Sequence, residues 1–158
     1  MYTSTKDKQM IYIFDLDGTC IDSSHRLGRG SLESWKRNNT PTNVAKDKPT
    51  VLAEMLRHKK RTGHTVLVCT SRVLGQADID WLVRHDMTPH AILSRNGESD
   101  MRPCPQLKTD KLRMQARFMG LSWDEFTSQA VMVDDHDGVL MAMASYGMQT
   151  LDAKRWVA

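Results

Sequence analysis

Short apolar runs, rich in β-branched residues, recur along the chain and predict five β-strands. The predicted strands are Met10–Asp15, Thr65–Thr70, His90–Ser94, Ala130–Asp134 and the shorter run Gln149–Leu151. The first, second and fourth runs are continuously apolar rather than alternating, which is typical of parallel strands that are buried on both faces.

Helical spacing of apolar residues between these runs predicts the helices that connect the strands. One predicted helix has Pro49 in its first turn and ends near Gly63. The others are Leu74–His85, Thr109–Met119, a short segment behind the capping-box residues Ser122 and Glu125, and Val139–Tyr146. Strands that alternate with helices predict an α/β protein whose mostly parallel five-stranded sheet is covered by helices.

Length and composition are those of one globular domain, which we expect to span residues 1–158, with residues 1–9 flexible. The chain is 40% apolar and 26% charged, and its net charge of +3 is too small to indicate a nucleic-acid-binding protein by itself. The apolar stretches are too short for a membrane span, and the polar N-terminus lacks a signal-peptide core. We therefore expect a cytoplasmic protein without membrane contacts.

Polar residues follow three of the predicted strands at what should be one edge of the sheet, because the carboxyl ends of parallel strands lie together and form the ligand site. Two carboxylates one residue apart, Asp15 and Asp17, repel each other unless a cation lies between them, and Mg²⁺ prefers oxygen ligands. The candidates at this edge are Asp15, Asp17, Thr70, Ser71, Arg72, Lys108, Asp134 and Asp135. Carboxylates, a hydroxyl and a lysine can together support phosphoryl transfer through an aspartate nucleophile.

The order of these motifs resembles that of the haloacid dehalogenase (HAD) superfamily of phosphatases. The signature Asp-Leu-Asp-Gly-Thr begins at Asp15, directly after an apolar strand, and Thr70, Lys108 and the pair Asp134-Asp135 follow in the order of the family. The resemblance covers residues 14–147 and implies a three-layer, Rossmann-like fold.

The same resemblance implies a role for each matching residue. Asp15 would be the nucleophile, and Asp17 would act first as general acid and then as general base. Thr70 and Lys108 would hold the phosphoryl oxygens. The Mg²⁺ site would consist of Asp15, Asp17 through its backbone carbonyl, Asp134 and Asp135.

A closer similarity is to the phosphatase half of phage-type polynucleotide kinase-phosphatases. Those proteins have an arginine shortly beyond the Asp-x-Asp signature, a Gly-Arg or Ser-Arg after the second motif, and a stretch of the form Asp-x-Arg-Pro-Asp-x-x-Val-Lys. The matching positions here are Arg26, Ser71-Arg72 and 100–108. The similarity implies that Arg26, Ser71, Arg72 and Arg102 bind substrate, and it gives the lysine role to Lys108 rather than Lys111.

One position departs from that pattern. Cys104 stands where the family has an aspartate that orients the lysine. Asp100 or Asp110 could supply the missing carboxylate, and the sequence leaves both alternatives open.

Two features limit the type of substrate. The chain has no Gly-x-x-x-x-Gly-Lys-Ser/Thr loop, so the kinase half of the bifunctional enzymes is missing. Only 46 residues, from Cys20 to Thr65, lie between the first two motifs, which is too short for a substantial cap domain. The resemblance therefore implies an open site that could admit a polynucleotide end or a free nucleotide.

The favoured interpretation is a Mg²⁺-dependent phosphatase that removes 3′-phosphates from polynucleotide ends. Hydrolysis of free nucleotides is the alternative, and a non-catalytic HAD-like binding module is a further one. A signalling receiver also uses aspartates, a threonine and a lysine, but its paired acids follow the first strand, whereas Asp134 and Asp135 come last here. The similarity to phage proteins also implies a host-cytoplasm location.

Overall fold

The computed structural model describes residues 8–26 and 37–157, and it contains the predicted parallel sheet of five strands. The strands of the chain are β1 (Ile11–Phe14), β2 (Ile21–Asp22), β3 (Lys48–Pro49), β4 (Thr65–Cys69), β5 (Ala91–Leu93), β6 (Ala130–Asp134) and β7 (Gln149–Asp152). The main sheet has the order β5-β4-β1-β6-β7, and every neighbouring pair in it is parallel. Strands β2 and β3 form a separate antiparallel pair.

Six α-helices lie wholly within the described residues, together with short 3-10 helices at Ser24–Arg26 and Ala153–Arg155. The α-helices are α1 (Pro41–Val44), α2 (Val51–Arg61), α3 (Gln76–Arg84), α4 (Cys104–Phe118), α5 (Trp123–Ser128) and α6 (Asp137–Ser145). The capping box of Ser122 and Glu125 is present at the start of α5.

Two predicted helix starts are wrong. Pro49 lies in β3 rather than in a helix, and α2 begins after it because the Thr50 hydroxyl accepts the Leu52 N–H as the N-cap. Helix α4 begins at Cys104 instead of Thr109, since Pro105 fits a first helical turn, where a backbone N–H is not needed.

Side chains of the central strands alternate between two apolar layers, which explains their continuous hydrophobicity. Phe14, Val68 and Val133 pack on one face of the sheet against residues of α2 and α3, including Leu56 and Trp81. The other face is covered by helices α4 to α6. Its core residues include Ile13, Leu67, Met132, Leu112, Phe126 and Met143. The fold is therefore the predicted three-layer α/β arrangement.

This topology sends the carboxyl ends of β1, β4 and β6 to one edge of the sheet, where the predicted site residues follow. Of the predicted flexible segment, residues 1–7 lie outside the described residues, as does the side chain of Arg26. Within the described part of the chain, none of the helices combines the length and apolar character of a membrane span.

Candidate active site

The Asp15-Leu16-Asp17-Gly18-Thr19 signature forms a tight turn directly after β1. The Asp15 amide still donates to the Val133 carbonyl of β6, at 3.0 Å, so the nucleophile candidate is fixed to the sheet. The Leu16 carbonyl then accepts the amides of Thr19, Cys20 and Ile21 at 2.9–3.1 Å. This turn reverses the chain at the sheet edge.

Glycine at position 18 is required by both backbone conformation and space. Its φ is 76°, in the left-handed region that side chains disfavour. A Cβ atom there would also lie 2.3 Å from Oδ2 of Asp135. Gly18 therefore allows the first motif to approach the carboxylates that follow β6.

Lys108 connects the first and last motifs. Its Nζ donates to Oδ1 of Asp15 at 3.0 Å and to Oδ2 of Asp134 at 2.6 Å. All three side chains are buried, with Asp134 fully inaccessible. Lys111 lies on the exposed side of the helix and donates to the Asn96 side chain. The lysine at the carboxylates is therefore Lys108 and not Lys111.

Burial and charge shift the protonation of this cluster. Burial alone would lower the pKa of Lys108, but the charges of Asp15 and Asp134 outweigh that effect and raise it. Burial raises the pKa of Asp15 and of Asp134, and Lys108 opposes that rise in both. The pKa of Asp135 rises to about 6, because its carboxyl group is partly buried and lies beside Asp15.

Three of the predicted metal ligands lie close enough to bind one cation. Carboxylate oxygens of Asp15, Asp134 and Asp135 lie within 4.8 Å of one another. Crowded carboxylates with raised pKa values fit a hard divalent cation, which uses oxygen ligands and offsets their repulsion. The Asp17 side chain is outside this group. That the Asp17 backbone carbonyl binds the cation stays a prediction.

The Asp17 carboxylate is held by two partners on the other side of the turn. Ser23 Oγ donates to its Oδ1 at 2.9 Å, and the guanidinium of Arg72 lies 2.9 Å from its Oδ2. Arg72 is buried and donates through Nη1 to Oδ1 of Asp78, at 2.5 Å. Arg72 thus bridges Asp17 and Asp78, and this bridge fixes the orientation of the Asp17 carboxylate. Its predicted direct contact with substrate stays a prediction.

We expect Asp78→Ala to lower the free energy of unfolding by about 2 kcal/mol, because it removes a charge-assisted hydrogen bond of the buried Arg72 guanidinium and leaves that charge paired with Asp17 alone. It should also lower kcat, since Asp78 would no longer fix Arg72 against Asp17. Asp80→Ala on the exposed side of the same helix should stay within about 0.5 kcal/mol. Urea unfolding and steady-state kinetics of both variants test this. Equal stability of the two variants would contradict it.

A second expectation concerns the acidic cluster without metal. A folded-state pKa of about 6 for Asp135, above its ordinary 3.8, adds stability below pH 4 that is lost as the pH rises through 6. In EDTA at pH 8, the free energy of unfolding of Asp135→Asn, measured with urea, should therefore exceed that of the wild type by about 1 kcal/mol, a value reduced for a half-buried, partly screened group.

The gain from Asp135→Asn should vanish at pH 4, where the wild-type carboxyl group is protonated in the folded state. Asp80→Asn is the matched exposed control. A lower stability of Asp135→Asn in EDTA at pH 8 would show that the carboxylate is not repelled in the metal-free site.

Two hydroxyl groups after β4 face the same edge. The Thr70 amide donates to the Leu93 carbonyl at 2.9 Å, and its Oγ1 accepts the Arg72 amide at 3.2 Å, so its own proton is left for another acceptor. The Ser71 Oγ is buried and has no hydrogen-bond partner among the described residues. The predicted roles, phosphoryl binding by Thr70 and substrate binding by Ser71, stay predictions.

Neither alternative to the missing aspartate at position 104 contacts the lysine. Asp100 accepts both Nε and Nη2 of Arg102, at 2.9 and 2.8 Å, and Asp110 accepts its Nη1 at 3.1 Å. The hydrogen bonds to Arg102 lower the pKa of Asp100 well below its usual range. Lys108 is oriented by Asp15 and Asp134 themselves.

Sequence reasoning missed several residues that position the site. Thr19 donates to Oδ2 of Asp15 at 3.2 Å, and Asp78 accepts the Gly75 amide at 2.9 Å while it binds Arg72. An acidic residue three positions after a helix start is a known capping signal, so Asp78 could have been found. Arg95 had no such signal, because its hydrogen bonds go to backbone carbonyls, those of Ser71, Asp100 and Arg102.

A cleft of about 730 Å³ adjoins the site. Three segments line it: 39–44, which contributes Asn39, Thr40, Pro41 and Val44; 71–78; and 95–102, which contributes Arg95, Glu98, Asp100, Met101 and Arg102. The second segment directly follows Thr70 and the third directly precedes the helix of Lys108. The cleft therefore borders the segments that lead to Thr70 and Lys108.

Solved structures share this fold. A haloacid dehalogenase-like hydrolase from Streptococcus pneumoniae superposes with a TM-score of 0.67 at 12% identity, over 91% of this chain and 84% of that one. A HAD enzyme from Bacteroides thetaiotaomicron, solved with magnesium and inorganic phosphate, gives 0.54 at 10% identity, over 92% and 94%. A chain of the Pnkp1/Rnl/Hen1 RNA repair complex gives 0.59 at 18%, over 96% of this chain and 45% of that one.

The sequence comparisons are more specific. The 5′-deoxynucleotidase of Escherichia phage T5 is 28% identical over 169 residues, which cover 91% of this chain and 67% of the relative. The family model described as bacteriophage T5 5′-deoxynucleotidase matches residues 3–157. With the HAD-like fold and this match over nearly the whole length, the chain belongs to the bacteriophage T5 5′-deoxynucleotidase family.

Proposed function

We propose that this protein is a Mg²⁺-dependent phosphatase that hydrolyses the 5′-phosphate of free deoxynucleotides. The observation that carries the proposal is the buried group of Asp15, Lys108 and Asp134 at the sheet edge, in a chain of the deoxynucleotidase family. This reverses the order of the two substrates expected from the sequence, since free nucleotides now come before polynucleotide 3′ ends.

In the first step an Asp15 carboxylate oxygen attacks phosphorus, and the bond between phosphorus and the 5′ oxygen breaks. Asp17 donates a proton to that leaving oxygen, so the nucleoside departs with a hydroxyl group. The product on the enzyme is an aspartyl-phosphate. Thr70 and Lys108 donate to the phosphoryl oxygens, whose charge develops in the transition state.

In the second step Asp17, now ionised, accepts a proton from water, and the water oxygen attacks phosphorus. The bond between phosphorus and Asp15 breaks, and inorganic phosphate leaves. Ser23 and Arg72 hold Asp17 at the same place for both steps.

Asp15, Asp134 and Asp135, with the Asp17 backbone carbonyl, would hold Mg²⁺. When bound, the cation would neutralise charge on the phosphoryl oxygens and on the crowded carboxylates. The carboxylate spacing supports this assignment, and so does the magnesium in the structurally similar Bacteroides enzyme.

The cleft favours a mononucleotide because the cations among its described lining residues already have partners. Arg72 binds Asp17 and Asp78, and Arg102 binds Asp100 and Asp110. The third described arginine of the cleft, Arg95, donates to backbone carbonyls. A polynucleotide would bring further phosphates, which need available lysines or arginines.

Phosphate release tests the proposal directly. The substrates are deoxynucleoside 5′-monophosphates, deoxynucleoside 3′-monophosphates, and oligonucleotides with a 5′- or a 3′-phosphate, each in Mg²⁺ and in EDTA. We expect the highest kcat/KM for the free 5′-nucleotides and loss of release in EDTA. A preference for the 3′-phosphorylated oligonucleotide would restore the polynucleotide 3′-phosphatase, and release from none would favour a non-catalytic module. Host cytoplasm is the expected location.

A further inference from the structure

We infer that the cleft beside the catalytic residues is the nucleoside subsite and that Met101 contacts the face of the base. This inference rests on the proposed function and specifies the part of the substrate that the catalytic groups do not touch. It follows from the way the loop at 95–102 is built.

The loop is fixed to the catalytic edge by Arg95. Its Nε donates to the Ser71 carbonyl at 2.8 Å, next to Thr70 in the chain. Its Nη1 donates to the carbonyls of Asp100 and Arg102, at 2.6 and 2.8 Å, which lie on either side of Met101. One guanidinium therefore sets the position of Met101 relative to the phosphate-binding segment.

The ion pairs of Arg102 fix the same loop a second time. Two of its nitrogens bind both carboxylate oxygens of Asp100, and the third binds Asp110 of α4. A paired fork of this kind has a defined geometry as well as strength. The two residues that flank Met101 are thus held to each other and to the helix that carries Lys108.

Between these two fixed residues, Met101 is 82% exposed and lines the cleft. An exposed methionine on a mobile loop would need no explanation, but here several hydrogen bonds hold the residues on either side of it in place. Methionine sulfur and methyl groups make favourable contacts with aromatic rings and adapt to rings of different shape. The arrangement suits a flat, aromatic ligand group.

The size and charge of the cleft agree with a nucleoside. Its volume of about 730 Å³ lies within the usual range of small-molecule sites. Among its described lining residues three arginines face three acids, Asp78, Glu98 and Asp100, so the cleft has no net charge to attract a second phosphate. A neutral sugar and base attached to the reacting phosphate match this environment.

Two substrates separate this subsite from the phosphate site. Deoxyadenosine 5′-monophosphate carries the base, and 2-deoxyribose 5-phosphate has the same phosphoester without it. We expect Met101→Ala to raise KM for the nucleotide roughly tenfold, the scale of one lost sulfur–ring contact with its packing. The kcat/KM of Met101→Ala for the sugar phosphate should change less than about twofold, because that substrate has no base for Met101 to contact.

Met101→Leu is expected to restore most of the affinity, because it keeps an apolar surface of similar volume. Met141→Ala is the matched control, since Met141 is 74% exposed on α6 and does not line the cleft. An unchanged KM of Met101→Ala, or equal losses on both substrates, would overturn the inference. Wild-type protein that cleaves the sugar phosphate but no nucleotide would instead overturn the proposed function.

Discussion

Asp15→Asn is expected to abolish phosphate release. The amide lacks the negative charge that makes the carboxylate oxygen of Asp15 a nucleophile. Loss of a covalent nucleophile lowers kcat by roughly 10⁴-fold or more. Asparagine has nearly the same shape as aspartate, so the variant should fold.

The measurement is steady-state phosphate release from a deoxynucleoside 5′-monophosphate, with the unfolding midpoint of Asp15→Asn measured in parallel. Asp80→Asn, an exposed change on α3, is the control and should retain wild-type activity. Turnover by Asp15→Asn at more than a small fraction of the wild-type rate would rule out the aspartyl-phosphate mechanism.

Lys108→Ala has the second largest expected effect. Lys108 is the one cation among the described residues that contacts both Asp15 and Asp134, and it would donate to the phosphoryl group. Loss of one charged donor at a transition state lowers kcat by about 10²–10³-fold. The variant should also bind Mg²⁺ with altered affinity, because a positive charge next to the ligands is removed.

Lys111→Ala provides the matched control, one helical turn further along α4. Its side chain contacts Asn96 at the surface, so activity within about twofold of the wild type is expected for a change that touches none of the reacting groups. A larger loss for Lys111→Ala than for Lys108→Ala would show that the motif lysine was assigned wrongly. Kinetics in saturating Mg²⁺ separate this effect from metal binding.

Much of the fold could be predicted because parallel strands that are buried on both faces appear in the sequence as continuous apolar runs. Ile11–Phe14, Thr65–Cys69 and Ala130–Asp134 lie within the predicted strands, since both faces of each are covered. Helix starts were harder, because proline is compatible with either side of the boundary. Pro49 ended in a short strand and Pro105 in a first helical turn, and tertiary contacts decided between these states.

The sequence predicted those site residues that lie at the carboxyl ends of parallel strands, because these ends share one edge of the sheet. Asp15 and Thr70 directly follow central strands and Asp134 ends one, so their proximity depended only on topology. The sequence did not predict which side chains pair with one another. Asp100 was considered a partner for Lys108, yet it binds Arg102, and the pairing of Arg72 with Asp78 depends on how α3 packs.

The same limit applies to the arginines of the motifs. The similarity to polynucleotide kinase-phosphatases implied that Arg72 and Arg102 bind substrate. In the fold each is paired with a carboxylate. A motif shows which residue type is present but not which partner it contacts.

The most direct test of the account is rapid acid quenching of the wild-type protein during turnover of a deoxynucleoside 5′-monophosphate in Mg²⁺, followed by peptide mass spectrometry. We predict that the peptide containing Asp15 gains the mass of one phosphoryl group, and that Asp15→Asn shows no such gain. Release of nucleoside and phosphate without any phosphorylated Asp15 peptide would contradict the account.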